Sequence, residues 1–362
     1  MILGCKFSQI LYDYNNILMC SLYPTIKIYF SGFISKNMLD KLKLLDFLSN
    51  GDFHSGEDIA SEFNVTRTAI WKQLKKLNEV LPSDIVSVSG KGYRLQEPMN
   101  VLNVDKINAG IADLLRTEIH KTEVLLECES TNQYLLDGIE QHLSENYLLF
   151  AERQKNGRGR RGRPWISPFA SNIYMSLSWG LKLSIAEMSG LSLVVAISVA
   201  NALKKNGIEN VKLKWPNDVY VDGKKISGVL LELRGETNSP CRAVIGIGLN
   251  VNMHKSAVKK IDQPWTDMQS ILGVSVDRNK IAASIVNELL VDLKLFEENG
   301  FAYFVEQWRV YDMLEGQQID ITGHTMIKNG IARGVDSQGA LLVESDNNIS
   351  PIYSGEVSIR LK

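Results

Sequence analysis

The run Gly157-Arg158-Gly159-Arg160-Arg161-Gly162 constrains this chain more than any other segment, because of the residues directly after it. Its spacing matches the GxGxxG of a dinucleotide-binding turn, which must pass from a strand straight into a helix. Here Arg163-Pro164-Trp165 comes next, and a proline disfavours helical backbone at the residue before it. A Rossmann turn is therefore excluded, and no phosphate loop ending in Gly-Lys-Ser/Thr occurs elsewhere. What remains is a glycine loop bearing arginines. Glycine lets backbone close over a ligand, and guanidinium groups fork onto phosphate or carboxylate oxygens. Two readings stand: an anion-binding loop that orders on its ligand, or a flexible basic surface loop.

Three other segments of the same stretch carry candidate chemistry, each beside a plain alternative. Lys214-Trp215-Pro216-Asn217-Asp218 sits at the end of a predicted strand, with Lys224, Lys225 and Gly228 after it. A lysine beside a glycine that permits close approach suits a phosphate and a carboxylate; an ordinary turn is the other reading. Gly246-Ile247-Gly248-Leu249-Asn250 reads as strand backbone packed on a ligand, or as a β-bulge. Ser130-Thr131-Asn132 is either a polar pocket wall or a helix N-cap. Their joint occurrence in one segment favours a site.

Upstream the periodicity is helical. Leu42, Leu44, Leu45 and Leu48 share a face that stops at Asn50-Gly51. Ser55 and Asp58 resemble a capping box, and Ile59 and Phe63 come next on one face. After a turn at Asn64-Val65, Thr66 caps a second helix with Ile70, Leu74 and Leu77 on its apolar face. Thr66, Arg67, Thr68, Trp71, Lys72 and Lys75 lie away from that face. Two short strands around Gly90-Lys91-Gly92, with Arg94 beyond, add a hairpin. Helix-turn-helix plus hairpin is a winged helix. Residues 38–97 hold eight Lys/Arg against nine Asp/Glu, so DNA binding must rest on the second helix and the wing. So few cations predict weak binding by one copy and a need for a dimer. A winged helix used only for protein packing is the alternative.

The chain of 362 residues is 44% hydrophobic with net charge −1. That allows two or three domains and excludes a chain coated with one sign of charge for nucleic acid or membrane. Cys5, Cys20, Cys128 and Cys241 form no CxxC pair and do not cluster with the five histidines. Neither a disulfide framework nor a metal site is indicated, and the usage suits a reducing cytoplasm. In residues 1–37, Asp13, Asn15, Asn16, Pro24 and Lys27 break every long apolar run, so no membrane span fits. This extension reads as unstructured or as lying upstream of a true start at Met38. A connector spans 98–104, and an α/β domain spans 105–314. Its helices are expected at 184–205 and 279–298, its strands at 172–179, 211–214, 229–232 and 243–247. Short strands separated by Gly, Asp and Asn turns make 315–362 a small all-β barrel.

These pieces together resemble the bifunctional biotin–protein ligases that double as biotin operon repressors. The likeness covers Leu42 to Arg360 and rests on GRGRRG, KWPND, GIGLN, Gly90-Lys91-Gly92-Tyr93, the stretch from Asn50 to Glu57 and the stretch from Ser130 to Asp137. The resemblance implies an α+β multidomain chain: a winged helix-turn-helix, a central class II synthetase-like α/β domain and a C-terminal SH3-like barrel. It implies ATP-dependent formation of biotinyl-AMP, with Mg²⁺, and transfer to a lysine of a biotin carboxyl carrier protein. It implies biotinyl-AMP as corepressor, operator DNA as partner and a homodimer when adenylate is bound. By position, Ser130, Thr131 and Gln154 would hydrogen-bond the biotin ureido end, and Asn132 would also belong to the ligand-binding set. Gly157, Arg158 and Gly159 would wrap the ligand, and Arg160 would retain the adenylate. Lys225 would meet carboxylate and phosphate; Lys214 and Asp218 would support ATP, Mg²⁺ or the incoming lysine. Gly228, Gly246 and Asn250 would lie beside the adenylate, and 254–265, ending at Trp265, would close over the adenine. That last segment departs from the family pattern at Lys255, Lys259 and Lys260. Residues 231–237 would pair with a second copy. Rival readings are a ligase without operator binding, a non-catalytic biotin-sensing repressor and a lipoate ligase, the last disfavoured by KWPND.

Overall fold

The computed structural model describes residues 40–81, 85–142, 145–235, 240–253, 261–322, 327–353 and 357–361. The expectations for 1–37, for a start at Met38, for Lys255, Lys259 and Lys260, and for the end of the 231–237 strand lie outside the described residues.

The first module is three helices and a hairpin: α1 (Lys41–Leu48), α2 (Gly56–Glu62), α3 (Arg67–Asn78), β1 (Ile85–Val88) and β2 (Gly92–Leu95). Side chains cap every helix. Asp40 accepts from Leu42 N, Ser55 from Asp58 N and Thr66 from Ala69 N. The buried faces are the expected ones: Leu44, Leu45 and Leu48, then Ile59, then Ile70, Leu74 and Leu77. Asn64 adopts φ +50° in the turn between α2 and α3, a left-handed conformation that asparagine tolerates.

The connector is packed rather than free. Val101 is buried with the winged-helix core and Leu102 with the core of the next domain. Leu102 N donates to Glu152 Oε1 at 2.5 Å, and Asn103 N donates to Asn279 Oδ1 at 2.8 Å. Arg278 donates from Nε to Asn100 O at 2.9 Å and from Nη2 to Glu152 Oε2 at 2.8 Å.

After α4 (Val104–Gly110) and α5 (Asp113–Arg116) comes the central domain. It contains β3 (Lys121–Leu125), α6 (Thr131–Asp137), β4 (Tyr147–Ala151), β5 (Ile173–Leu181), α7 (Leu191–Lys205), β6 (Val211–Lys214), β7 (Asp218–Val221), β8 (Lys224–Arg234) and β9 (Cys241–Leu249). Three further helices, α8 (Met268–Leu272), α9 (Arg278–Asn299) and α10 (Val305–Tyr311), complete it. The seven strands run in the order β3-β4-β5-β9-β8-β7-β6, antiparallel except for the β3–β4 pair.

Strand side chains alternate between faces, and the alternation decides where a ligand can go. Ile173, Met175, Leu177 and Trp179 of β5 and Ala243, Ile245, Ile247 and Leu249 of β9 join the core under α7 and α9. The intervening positions present Ser176, Gly246 and Gly248 to the other face; in register, Ser176 faces Gly246, and Gly228 faces Gly248. Small residues there leave room above the sheet.

Two expectations are corrected. The helix expected over 184–205 begins at Leu191. Ser184 and Glu187 close their own capped 3₁₀ turn, and Gly190 at φ +83° separates it from α7. A side chain at Gly190 would also strike Phe301, 2.5 Å from its Cβ position. The strands expected at 229–232 and 243–247 extend to Lys224–Arg234 and Cys241–Leu249. The Gly-Ile-Gly-Leu run stays in register with β5 throughout, so it is not a bulge.

The C-terminal strands β10 (Gln318–Thr322), β11 (Ile327–Val335), β12 (Leu341–Ser345), β13 (Asn348–Ile352) and β14 (Ser358–Leu361) form one antiparallel sheet, ordered β13-β12-β11-β10-β14. The small all-β tail is present, but its order is linear. No β13–β14 pairing closes a barrel among the described residues. Trp215 Nε1 donates to Gly339 O at 3.0 Å and Ser189 Oγ to Gln338 O at 2.6 Å, which fixes this sheet to the central domain.

Candidate ligand pocket and DNA-facing surface

A cavity of about 730 Å³ lies over the glycine-and-serine face of the sheet. Of the residues singled out from sequence, Ser130, Thr131, Asn132, Gln154, Arg158, Gly159, Arg160, Lys214, Asp218, Lys225, Gly228, Gly246, Asn250 and Trp265 all line it. Gly157 stands behind the wall. A Cβ there would come within 2.7 Å of Trp165 O and 2.8 Å of Ser167 Oγ, so glycine is what lets the two arms of the loop meet. The loop itself is a hairpin: Gly159 N donates to Arg163 O at 2.8 Å and Trp165 N to Gly157 O at 2.8 Å.

One end of the cavity is neutral and polar. Ser130 caps α6, whose first turn is thereby held against the sheet. Thr131 N donates to Gln154 Oε1 at 2.9 Å, and Gln154 Nε2 donates to Ser167 Oγ at 3.2 Å. The Ser176 hydroxyl lies 2.7 Å from Thr131 Oγ1 and 2.6 Å from Asn132 Oδ1. Such a set of fixed donors and acceptors suits an uncharged hydrogen-bonding head group. Asn132 Nδ2 donates to Glu232 Oε2 at 2.9 Å, and Arg158 Nη2 donates to Glu232 Oε1 at 2.9 Å. Arg158 is thus drawn onto the sheet by a carboxylate.

The other end is cationic. KWPND is the tight connection between β6 and β7, with Lys214 paired in register to Asp218 and a cis Trp215-Pro216 bond between them. Asn217 holds the turn to β8 by donating to Val229 O at 2.6 Å. Lys225 Nζ lies 2.8 Å from Asp218 Oδ1, and both side chains are mostly buried. Burial pushes the Lys214 ammonium below the usual lysine range, Asp218 opposes that shift, and neighbouring Lys225 adds to it. Burial likewise lowers the Arg160 guanidinium, again opposed by Asp218. Cations held out of water beside one carboxylate are what an incoming polyanion would meet. The backbone of Trp265 runs parallel to Lys225: Lys225 N donates to Pro264 O at 3.0 Å and Thr266 N to Lys225 O at 2.9 Å. Asn250 Nδ2 donates to Thr266 O at 3.1 Å and so ties that segment to the end of β9.

Sequence reasoning missed several residues. Trp165, which stands out in the sequence only as the neighbour of Pro164, is the floor of the cavity. Its ring lies so close to the sheet that a Cβ at Gly248 would stand 2.5 Å from Cε2, and one at Gly228 3.2 Å from Cζ3. Its indole N–H is buried against the Gly248 backbone and has no hydrogen-bond partner among the described residues. Lys225 Nζ stands 5.5 Å from the same ring. Ser176 and Glu232 were also missed, although strand alternation beside Gly246 and Leu230 points to both. Ile359 and Arg360 reach the rim from β14, and no local signal announces a contact so distant in sequence.

The winged helix presents a different surface. Thr66, Arg67, Thr68, Trp71, Lys72 and Lys75 are all exposed, and Lys91 is exposed at the wing tip. Arg67 Nη1 pairs with Glu57 Oε1 at 3.1 Å. Arg94 is half-buried, with its guanidinium 4.8 Å from the Phe53 ring. Among the described residues no group of three or more His, Cys, Asp or Glu could hold a metal ion, and no helix is long and apolar enough to cross a membrane.

Fold and pocket define a ligase-type catalytic domain joined to a DNA-binding module, and comparison with known proteins agrees. Residues 126–250 match the Biotin/lipoate A/B protein ligase family, 40–94 an HTH domain, and 316–360 the Biotin protein ligase C terminal domain. The chain is 40% identical over 319 residues to the Bifunctional ligase/repressor BirA of Escherichia coli (strain K12), covering 88% of this chain and 97% of that protein. It is 27% identical to the protein of the same name from Bacillus subtilis (strain 168), covering 88% and 98%. A solved biotin protein ligase from Aquifex aeolicus, in complex with biotin and ATP, superposes with a TM-score of 0.59 at 31% identity, covering 67% of this chain and all of that one. The chain belongs to the family of bifunctional biotin–protein ligases and repressors.

Proposed function

We propose that this protein condenses biotin with ATP to biotinyl-AMP, transfers the biotinyl group to a lysine of a biotin carboxyl carrier protein, and represses biotin-synthesis genes as an adenylate-bound dimer. The observation that carries the catalytic half is one cavity with a neutral polar end and a desolvated cationic end. Biotin is such a molecule: an uncharged ureido ring on one side and a carboxylate on the other.

In the first step a biotin carboxylate oxygen attacks the α-phosphorus of ATP, and pyrophosphate leaves with the electrons of the broken P–O bond. Two anions must approach, so the barrier is largely electrostatic. Ser130, Thr131, Asn132 and Gln154 fix the ureido end. Lys225 exchanges its contact with Asp218 for the carboxylate and phosphate oxygens, while Lys214 neutralises the triphosphate. Gly228 and Gly248 leave room for the Trp165 ring, and Gly246 leaves room for the Asn132 amide. Asn250 and Trp265 border the adenine side. Mg²⁺ would supply further neutralisation. The carboxylates lining this region are Asp218 and Asp262, which fits an ion held mainly by phosphate oxygens.

In the second step the neutral ε-amine of a carrier lysine attacks the acyl carbon, AMP leaves, and the amide forms with loss of one proton. Arg158, Gly159 and Arg160 hold the mixed anhydride until the carrier arrives. For repression, α3 and the wing contact DNA through Thr66, Arg67, Thr68, Trp71, Lys72, Lys75, Lys91 and Arg94. Dimerisation through residues 231–234, the end of β8 beyond its pairing with β7, supplies the second half-site. The reading places the protein in the cytoplasm, beside carrier and chromosome.

The test is transfer of labelled biotin to a carrier domain with ATP and Mg²⁺. Label on the carrier lysine, dependent on ATP, supports the reading. Tight biotin binding without transfer would overturn it in favour of a sensor that only represses.

A further inference from the structure

Trp71 stands 52% exposed on α3, a large apolar side chain in water among charged neighbours. It is not held there by packing. The buried face of the helix is Ile70, Leu74 and Leu77, and Trp71 points away from it. Thr68 precedes it by three residues and Lys75 comes four residues later, so all three share one exposed stripe. Lys75 Nζ sits 5.8 Å from the indole centroid, over the ring, a cation–π arrangement that steadies the ring and places positive charge beside it. Arg67, one turn earlier, is occupied by Glu57 at 3.1 Å, so the aromatic ring rather than that guanidinium dominates the middle of the stripe.

A recognition helix places its first two turns against base edges in the major groove. An indole has one N–H donor and no acceptor, so its larger offering is apolar surface. Among the base edges of the major groove only thymine presents an apolar group, the C5 methyl. Lys72 and Lys75 on the flanks supply the charge for phosphates. We infer that Trp71 is a specificity-determining residue that reads thymine methyl groups in the bound DNA, with Lys75 bracing its ring. The inference rests on the proposed repressor role and names the base chemistry that this role leaves open.

The experiment uses the full chain with biotin and ATP and a library of random DNA duplexes. The enriched duplex is then remade with deoxyuridine at one thymidine at a time, which removes only the methyl group. At one or two positions per half-site, loss of the methyl is expected to weaken binding about fourfold, the transfer free energy of one buried carbon expressed as an affinity ratio. Trp71→Ala should erase that penalty, Trp71→Phe should keep part of it, and Lys75→Ala should weaken all duplexes alike while leaving the penalty largely in place. The inference is overturned if no thymidine is sensitive, or if the penalty survives unchanged in Trp71→Ala. Uniform weakening by Trp71→Ala without any uracil effect also overturns it and would assign the ring to sugar packing. If no duplex is enriched at all, the repressor reading itself fails.

Discussion

Two ion pairs of nearly equal length separate the two working surfaces of this protein. Lys225–Asp218 in the cavity closes at 2.8 Å with side chains 14% and 23% exposed; Arg67–Glu57 on the winged helix closes at 3.1 Å with side chains 68% and 77% exposed. The attraction between unit charges about 4 Å apart is roughly 1 kcal/mol in water and roughly 4 kcal/mol at the effective dielectric near a protein surface. The cavity pair is therefore a strong interaction that substrate must replace, and the surface pair a weak one that DNA can displace readily. Buried cations act hard in one place, and exposed ones act softly in the other. The same residue types serve acyl activation and groove binding because burial, not identity, sets their strength.

The sharpest way to break this contrast is to remove a buried cation. Lys225→Met should lower the rate of biotinyl-AMP formation about 10²- to 10³-fold, the usual loss when a preorganised electrostatic group is deleted. A single-turnover assay of adenylate formation reads this directly, and a loss below about fivefold would place Lys225 outside the reacting atoms. A comparable effect, on stability rather than rate, is expected at the junction between the surfaces. Glu152 is fully buried and Arg278 is 2% exposed, with the connector backbone hydrogen-bonded to both. Glu152→Gln strands a buried guanidinium and should cost about 3–5 kcal/mol in urea unfolding. If the winged helix and the ligase domain then melt separately, this pair is what makes them one cooperative unit.

A third break uses pH. Burial raises the Asp292 carboxyl from 3.8 to about 6, although the Ser198 hydroxyl donates to it at 2.7 Å. The folded state thus holds a proton that the unfolded chain releases near pH 4. Its stabilising contribution is present below pH 4 and is lost as pH rises through about 6. At most it amounts to roughly 3 kcal/mol. Asp292→Asn should flatten the dependence of unfolding free energy on pH across that window; an unaltered slope would mean that another group carries it.

How much of this could be read from sequence depends on the same division between local and distant causes. The winged helix was legible residue by residue, because caps such as Ser55 and Thr66 and the 70/74/77 stripe act within a few residues of themselves. The cavity was legible wherever a motif was dense in glycine and charge, and fourteen expected residues do line one space. Trp165 was overlooked because its role depends on Gly228 and Gly248, more than sixty residues away and lacking any side chain to announce a partner. Arg360 depends on the packing of a separate sheet through Trp215 and Gly339. The connector is legible as a linker, but its packing is not, because the partners of Asn100 and Asn103 include Arg278 and Asn279, more than 170 residues away. Barrel closure was expected from strand spacing, and spacing gives strand number but not the pairing of the edges.

A smaller effect probes the glycine hairpin. Arg160→Ala should still form biotinyl-AMP, because Lys214 and Lys225 remain, but should release it about ten- to a hundredfold faster, as loss of one or two charge-assisted hydrogen bonds implies. Trapping of free adenylate in a chase experiment measures this. Unchanged retention would assign Arg160 to something other than holding the intermediate, and a collapse of adenylate formation itself would move it among the groups that act on the reacting phosphate.

The smallest effect lies on the exposed side of the contrast. Lys75→Ala removes one phosphate-directed charge from a helix that is open to water, so operator affinity should fall only a few-fold near physiological salt, and the slope of log affinity against log salt should flatten by about one. Biotin transfer should be unaffected, since Lys75 lies on the exposed side of α3, whose buried face packs in a separate core from that of the central sheet. Operator titrations at several salt concentrations, run beside the transfer assay on the same preparation, check both halves. Equal loss of transfer and DNA binding would show that the exposed cations and the buried ones are coupled through Glu152 and Arg278 more tightly than their separate environments imply, and the two surfaces would then have to be treated as one device.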